Sequence, residues 1–258
     1  MSAAQEAGLN TDGRTSVLAT SVLVVFLLAM TVTIANVSLP QMQGSLSATR
    51  DQVAWVVTSF LVANAVGVPA TGWLTDRLGS RRLIIWGTFG FSLATLSCAL
   101  APNLELLVLS RALQGLLGAP LTPLTMALVL SMYPRHQHGL VTAIFGIGVT
   151  IGPIVAPWLG GILAEDYGWR SVFFFAMPFA TLACFAVLVF IPRDRPQRER
   201  RLDLRGFIFF SLAIACFQLM FDRGERNDWF ESAEITIECL TGFICLYLFV
   251  VHSLSWRT

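Results

Sequence analysis

Eight runs of apolar residues, at about 16–37, 53–74, 83–101, 104–132, 139–163, 171–191, 206–221 and 235–255, leave this chain few folds to choose from. About 20 mainly apolar residues make a helix long enough to cross the hydrocarbon of a bilayer. There every backbone N–H and C=O must be satisfied within the protein, so only helices or a closed β-barrel can span it. The runs are continuously apolar and lack the two-residue alternation of barrel strands, which argues against the barrel. Only 13% of the 258 residues are charged, against about 25% in soluble domains. The expected fold class is therefore an all-α polytopic membrane protein. The first run is too long for a signal-peptide core and no small-residue cleavage site clearly follows it, so it reads as a retained helix.

Charge sets the expected orientation. The chain has no lysine, so arginine alone carries the positive-inside signal. One set of loops holds Arg77, Arg81, Arg82, Arg135 and the run from Arg193 to Arg205; the other holds Arg50, Arg170, Arg223 and Arg226 among many acids. Both chain ends are expected on the cytoplasmic side. The expected organisation is a cytoplasmic tail at 1–15, a six-span bundle at 16–192, a basic linker at 193–205 and two further spans at 206–258. The linker, RDRPQRERRLDLR, reads as a solvated loop drawn to anionic lipid headgroups. The polar turn DRGERNDWFESAE places Trp229 and Phe230 at the opposite interface.

Inside the fourth run stands Arg111, about 10 Å from its outer end near Leu104 at 1.5 Å per residue. A lipid-facing arginine at depth costs several kcal/mol, so its side chain is expected to turn into a water-accessible cavity among packed helices. Gln114, three residues on, shares its face. Three stretches carry further pattern. In GWLTDRLGSRR, Gly72 would allow close helix approach, Asp76 would serve the N-terminus of the following turn, and Gly79 would permit a tight bend, with Arg77, Arg81 and Arg82 in the loop. In GVTIGPIVAPWLGG, Gly148, Gly152, Ala156 and Gly160 recur every four residues and form one small-residue ridge, beside Gly161. Pro153 and Pro157 remove two backbone donors there.

These stretches resemble signatures of the major facilitator superfamily. GWLTDRLGSRR is similar to its loop motif between the second and third helices, a cytoplasmic latch between transporter halves. RALQG resembles its fourth-helix motif, whose arginine is tied to proton coupling. The ridge with its prolines resembles the antiporter motif of exporters. The chain as a whole looks like the EmrB/QacA-type 14-helix drug:proton antiporters, through TIANVSLP, QVAWVVTSFLVANAV, GWRSVFFF and FDRGERNDWF. The resemblance implies an N-terminal six-helix bundle of two inverted three-helix repeats plus two inserted helices, without the second six-helix half. It also marks a departure: where that branch offers an aspartate in the first helix, this chain has Thr31, and no buried carboxylate in the first six spans replaces it, so Arg111 is expected to use hydroxyls, amides such as Asn36 and Gln114, helix carbonyls, water, a distant acid or an anionic substrate.

The implied function is part of an inner-membrane exporter that moves amphipathic compounds outward by alternating access, with a proton gradient as driving force and no bound cofactor. Candidate pathway residues are Thr31, Thr33, Asn36, Asn64, Arg111 and Gln114. The alternative is a half-length assembly or regulatory partner of a full permease, docking through the ridge and the arginine loop. Expected partners are membrane lipid, hydrophobic or amphipathic small molecules, the missing C-terminal half or a second copy, and, by resemblance, a periplasmic adaptor and an outer-membrane channel. Nucleic acid is not expected as a partner. His136, His138 and His252 have no nucleophile or ligand set around them, so neither an enzyme nor a metal site is expected. The five cysteines share no metal-site spacing and read as buried thiols.

Overall fold

The computed structural model describes residues 11–192 and 203–256. Its helices are α1 Thr11–Ser45, α2 Arg50–Leu78, α3 Ser80–Leu100, α4 Leu104–Gly118, α5 Leu121–Met132, α6 His138–Tyr167, α7 Arg170–Phe190, α8 Leu204–Arg223 and α9 Ala233–Trp256. No strand occurs among the described residues, and these helices make eight spans apolar and long enough to cross a membrane. Because eight is even, Thr11 and Trp256 lie at the same end of the molecule, called here the near end. All of the expected basic linker except Asp203 to Arg205 falls outside the described residues.

Local chemistry sets where the helices start and stop. Thr49 and Gln52 form a reciprocal capping box at the head of α2, with bonds of 2.9 and 3.2 Å. Asn103 caps α4 by accepting from the Leu106 N–H at 2.9 Å. The fourth span is two helices, because Pro120 lacks an N–H and cannot continue the ladder, so α5 restarts at Leu121. α1 outruns its apolar stretch by eight residues, ending at Ser45 where position 37 was expected. Hydropathy marks the part that lies in hydrocarbon, whereas the helix continues until Ser47 turns to a positive φ of 50°.

The first six spans pack with an internal symmetry that the sequence hides. The most extensive contacts join α1 to α6 and α2 to α4, that is, the first span to the fifth and the second to the fourth. Exchanging spans one to three with spans four to six turns each of these pairs into the other and maps the third–sixth pair, α3 on α7, onto itself. Such a pattern is what inverted three-helix repeats produce. Both leading pairs are parallel and held in strict register. Val22, Met30 and Ile34 of α1 face Gly148, Gly152 and Gly160 of α6; Phe60 and Gly67 of α2 face Gly115 of α4 and Ala119 just past its end.

The last two spans form a separate antiparallel hairpin that reaches the bundle through α2. At the far end, the Asp222 carboxylate of α8 accepts a hydrogen bond from the buried Thr58 hydroxyl of α2 and pairs with Arg226 at 3.3 Å. Arg223 lies 5.3 Å above the Trp55 ring and bridges to Glu234 at 2.9 Å and Glu238 at 3.3 Å. Replacing Thr58 with valine removes the only described link from α2 to that carboxylate. Hydrogen bonds to charged groups contribute about 1.5–3 kcal/mol, so faster hydrogen exchange confined to α8 and α9 is the expected result. Unchanged exchange there would show that this bond adds nothing to the packing of α8 on α2.

At the near end the same hairpin is clipped by Asp203, whose Oδ1 accepts from the Gly206 N–H at 3.0 Å and contacts Nε2 of His252 at 2.8 Å. The Gly206 amide first, and His252 second, hold this carboxyl below its ordinary value. A depressed carboxyl stabilises the fold above its unfolded pKa, ordinarily about 3.9, and that contribution fades as pH falls through the folded pKa. Asp203→Asn is therefore expected to flatten the acid side of the melting-temperature profile from about pH 5 downward. A profile identical to the parent's would remove the clip from the account.

Candidate functional site

Arg111 belongs to the face of α4 that meets α2, and it is 0% exposed. Its Nε donates to the Val56 carbonyl at 3.0 Å, its Nη1 donates to Gln114 Oε1 at 2.6 Å, and its Cζ lies 4.5 Å from the centre of the Phe60 ring. Gln114 Nε2 then donates at 2.6 Å to the Thr95 hydroxyl of α3, which in turn donates to the Phe91 carbonyl at 2.8 Å. One charge thus pins three helices, α2, α3 and α4.

The sequence expectation of a water-accessible cavity is not met. No face of the guanidinium is open, and Nη2 is buried without a hydrogen-bond partner. The charge is offset instead by a helix carbonyl, whose second lone pair is free for it, by an amide oxygen, and by the negative face of an aromatic ring. No carboxylate among the described residues bonds to it.

What permits this geometry is a missing Cβ. A methyl group on Gly115 would stand 2.2 Å from the Phe60 carbonyl oxygen, and one on Gly67 would stand 2.6 Å from the Ala119 side chain. Without those atoms the two backbones approach closely enough for Arg111 to reach Val56, four residues before Phe60 just as Arg111 is four before Gly115. Asn64 adds a rung by donating to the Gly115 carbonyl at 3.2 Å.

The other candidate residues divide. Thr31 is fully buried but donates to the Leu27 carbonyl of its own helix at 2.7 Å, and Thr33 does the same with Ala29 at 3.2 Å. Asn36 is exposed on α1 and takes no part in neutralising Arg111. The structure therefore gathers Asn64, Arg111 and Gln114, and leaves the three α1 residues apart. Thr95, Val56 and Phe60 were missed from sequence. Nothing marks a backbone carbonyl or a mid-helix threonine as a partner until the register of two helices is known.

The ridge of α6 is spent within the bundle. Gly148, Gly152 and Gly160 each lie where a Cβ would come within 2.8 Å of α1, and Ala156 is fully buried. That corrects its expected use as a docking surface for another permease. Pro153 and Pro157 point to the open side, and a methyl on Gly161 would meet nothing. In the loop between α2 and α3, Gly79 adopts φ 84°, which suits the expected bend. Around Gly72, by contrast, there is open space, so the close approach expected there does not occur. Asp76 lies in the last turn of α2, and the head of α3 has no side-chain cap. Arg77 sits 5.5 Å over the Trp73 ring, Arg82 is exposed, and Arg81 donates to the Leu188 carbonyl at the end of α7 at 3.2 Å.

The model of the Major Facilitator Superfamily matches residues 21–257. The chain belongs to the major facilitator superfamily. It is 34% identical to the multidrug export protein EmrB of Escherichia coli K12 and 36% identical to the fatty acid resistance protein FarB of Neisseria gonorrhoeae, in each case over 90% of this chain and 46% of the relative. It thus spans about half the length of these curated relatives. Among solved structures, the POT family transporter PepTSo superposes with a TM-score of 0.66 at 12% identity, over 94% of this chain and 52% of that one. This major facilitator chain is therefore a multi-pass membrane protein whose relatives are multidrug exporters.

Proposed function

We propose that this chain supplies the first six-helix half and the inserted helix pair of an inner-membrane exporter of amphipathic compounds, with both described ends cytoplasmic. Asn36 carries the reading. It is exposed on α1, about 14 Å from the far end of that helix at 1.5 Å per residue. Near the end of that helix's apolar stretch, a primary amide turned to lipid keeps only part of its hydrogen bonds, whereas one facing an aqueous path between two halves keeps them all. Thr33, partly buried one turn away, and the open prolines of α6 extend that face. The opposing wall would be a second six-helix half, against which alternating access rocks the first.

In this reading Arg111 and Gln114 set the rigid geometry of the half-bundle, and protons drive export by a route that does not use the first-helix position now held by Thr31. A periplasmic adaptor and an outer-membrane channel complete the export path in bacteria with two membranes. Cells carrying the complete reading frame are expected to expel a fluorescent lipophilic dye, and a protonophore is expected to stop them. Dye retention equal to that of cells without the gene would refute export; efflux indifferent to the protonophore would refute proton coupling alone. The regulatory-partner alternative loses one of its two proposed surfaces, since the ridge is covered by α1, and keeps the arginine loop, where Arg82 is exposed.

A further inference from the structure

The inserted hairpin holds two cysteines that the transport reading does not use. Cys216 of α8 and Cys245 of α9 are 8% and 6% exposed, and both are free thiols. Beyond the short turn that precedes it, α9 makes extensive contact only with α8, so a buried residue on α9 faces α8. The register follows from the far end. Arg223 bonds Glu238 across the hairpin, and seven residues, two turns of helix, separate Arg223 from Cys216 and Glu238 from Cys245. The two helices are antiparallel, so stepping toward the near end on each brings the thiols opposite one another. Ring contacts on either side fix the same register: Phe217 with Phe243 at 5.2 Å and Phe210 with Phe249 at 4.7 Å.

The two helices also interlock at this level. Gly242 lies where a Cβ would be 3.0 Å from the Phe217 ring, and Ala213 is buried one turn from Cys216. Small residues bring helix axes together, which a disulfide requires, since its Cα atoms must lie within about 7 Å.

We infer that Cys216 and Cys245 are a cystine-forming pair, a site of oxidative modification that ties the inserted hairpin shut in the middle of the membrane. Each thiol loses a proton, a sulfur–sulfur bond forms, and two electrons pass to a two-electron oxidant that partitions into lipid. Diiodine is such an oxidant and leaves as two iodide ions. The other thiols lack this geometry: Cys98 is buried on α3, Cys184 lies 3.3 Å from the Ser92 hydroxyl, and Cys239 is one residue past Glu238 and rotated off the Cys245 face. The inference concerns the hairpin and stands apart from the transport reading.

The test uses the full chain in membranes, treated with diiodine, then denatured, alkylated and cut after arginine. Cleavage at Arg205, Arg223 and Arg226 separates peptide 206–223, which holds Cys216, from peptide 227–257, which holds Cys239 and Cys245. A disulfide-linked pair of these peptides is expected from the monomer fraction. It should persist in Cys239→Ser and vanish in Cys216→Ser and in Cys245→Ser. Both serine variants change one atom, and their melting temperatures without oxidant confirm folding. Absence of the linked pair in the parent chain, its survival in Cys245→Ser, or its appearance only in a crosslinked dimer would each overturn the assignment.

Discussion

Replacing Gln114 with leucine is expected to destabilise the helix bundle by about 3 kcal/mol, more than removing the charge that Gln114 serves. The leucine takes away the Nη1 acceptor at 2.6 Å and the donor to Thr95. Hydrogen bonds to charged groups contribute about 1.5–3 kcal/mol each, and Nη2 already has no partner. A fully buried guanidinium would then rest on one carbonyl and one ring. Arg111→Met is expected to cost less, because no acid is stranded when the cation goes and Val56 keeps its own helix bond. Gln114→Glu should equal or exceed the parent, since its carboxylate accepts the same N–H and supplies the absent countercharge, while the Thr95 hydroxyl turns to donate to it. Midpoints of reversible unfolding in mixed micelles rank the three. If Gln114→Leu unfolds with the parent, the polar chain from Val56 to Thr95 contributes nothing to packing.

The same cluster shows where sequence reasoning stops. Arg111 and Gln114 were legible because a charge amid apolar residues is costly in lipid and helical spacing puts the two on one face. Their surroundings were not, because burial depth follows from how closely two helices approach, and that distance is set by Gly115 and Gly67 together. The α6 ridge has the converse history. Its four-residue spacing predicted a close contact, and one exists, but spacing cannot name the partner, which is α1 rather than another protein. Apart from the far end of α1, the eight spans were readable to within a few residues, since hydrocarbon imposes length and composition on each one separately. The inverted repeat was expected from resemblance rather than from the residues, and it surfaces in packing because a helix pair needs small residues on only one partner. In the first–fifth pair they sit on α6; in the second–fourth pair they are split between Gly67 of α2 and Gly115 of α4.

The carboxylate missing from the first span also looks different in three dimensions. Acids near the far ends of the spans do exist here, Asp222 and Glu238, but they belong to the inserted hairpin and are paired with Thr58, Arg226 and Arg223. α2 stands between them and Arg111: Val56 and Phe60, one turn apart, face the arginine, while Thr58 lies on the opposite side of the helix. The far-end third of α2 is consequently gripped from both sides, by a cation that needs acceptors and by an acid that needs donors. A scan for an acid within the six-span bundle could not find this arrangement.

Gly115→Ala, the smallest change available, is expected to be the most disruptive single methyl in the bundle. The new Cβ would lie 2.2 Å from the Phe60 carbonyl oxygen and 3.0 Å from its carbon, and a backbone atom has no rotamer by which to yield. α2 and α4 must then separate by roughly 1 Å to restore van der Waals contact near 3.4 Å. That motion lengthens the 3.0 Å bond from Arg111 to Val56 past the useful range. Overpacking costs about 1–3 kcal/mol and a lost bond to a charged group about 1.5–3 kcal/mol, so a total of roughly 3–5 kcal/mol is expected, read as loss of monodisperse protein and a lowered unfolding midpoint. Gly161→Ala and Gly139→Ala meet open space and should stay within about 0.5 kcal/mol of the parent, as surface changes do. Should Gly115→Ala prove as stable as either control, the backbone approach that seats the arginine would have to be wider than 2.2 Å implies, and the dry setting of Arg111 would fall with it.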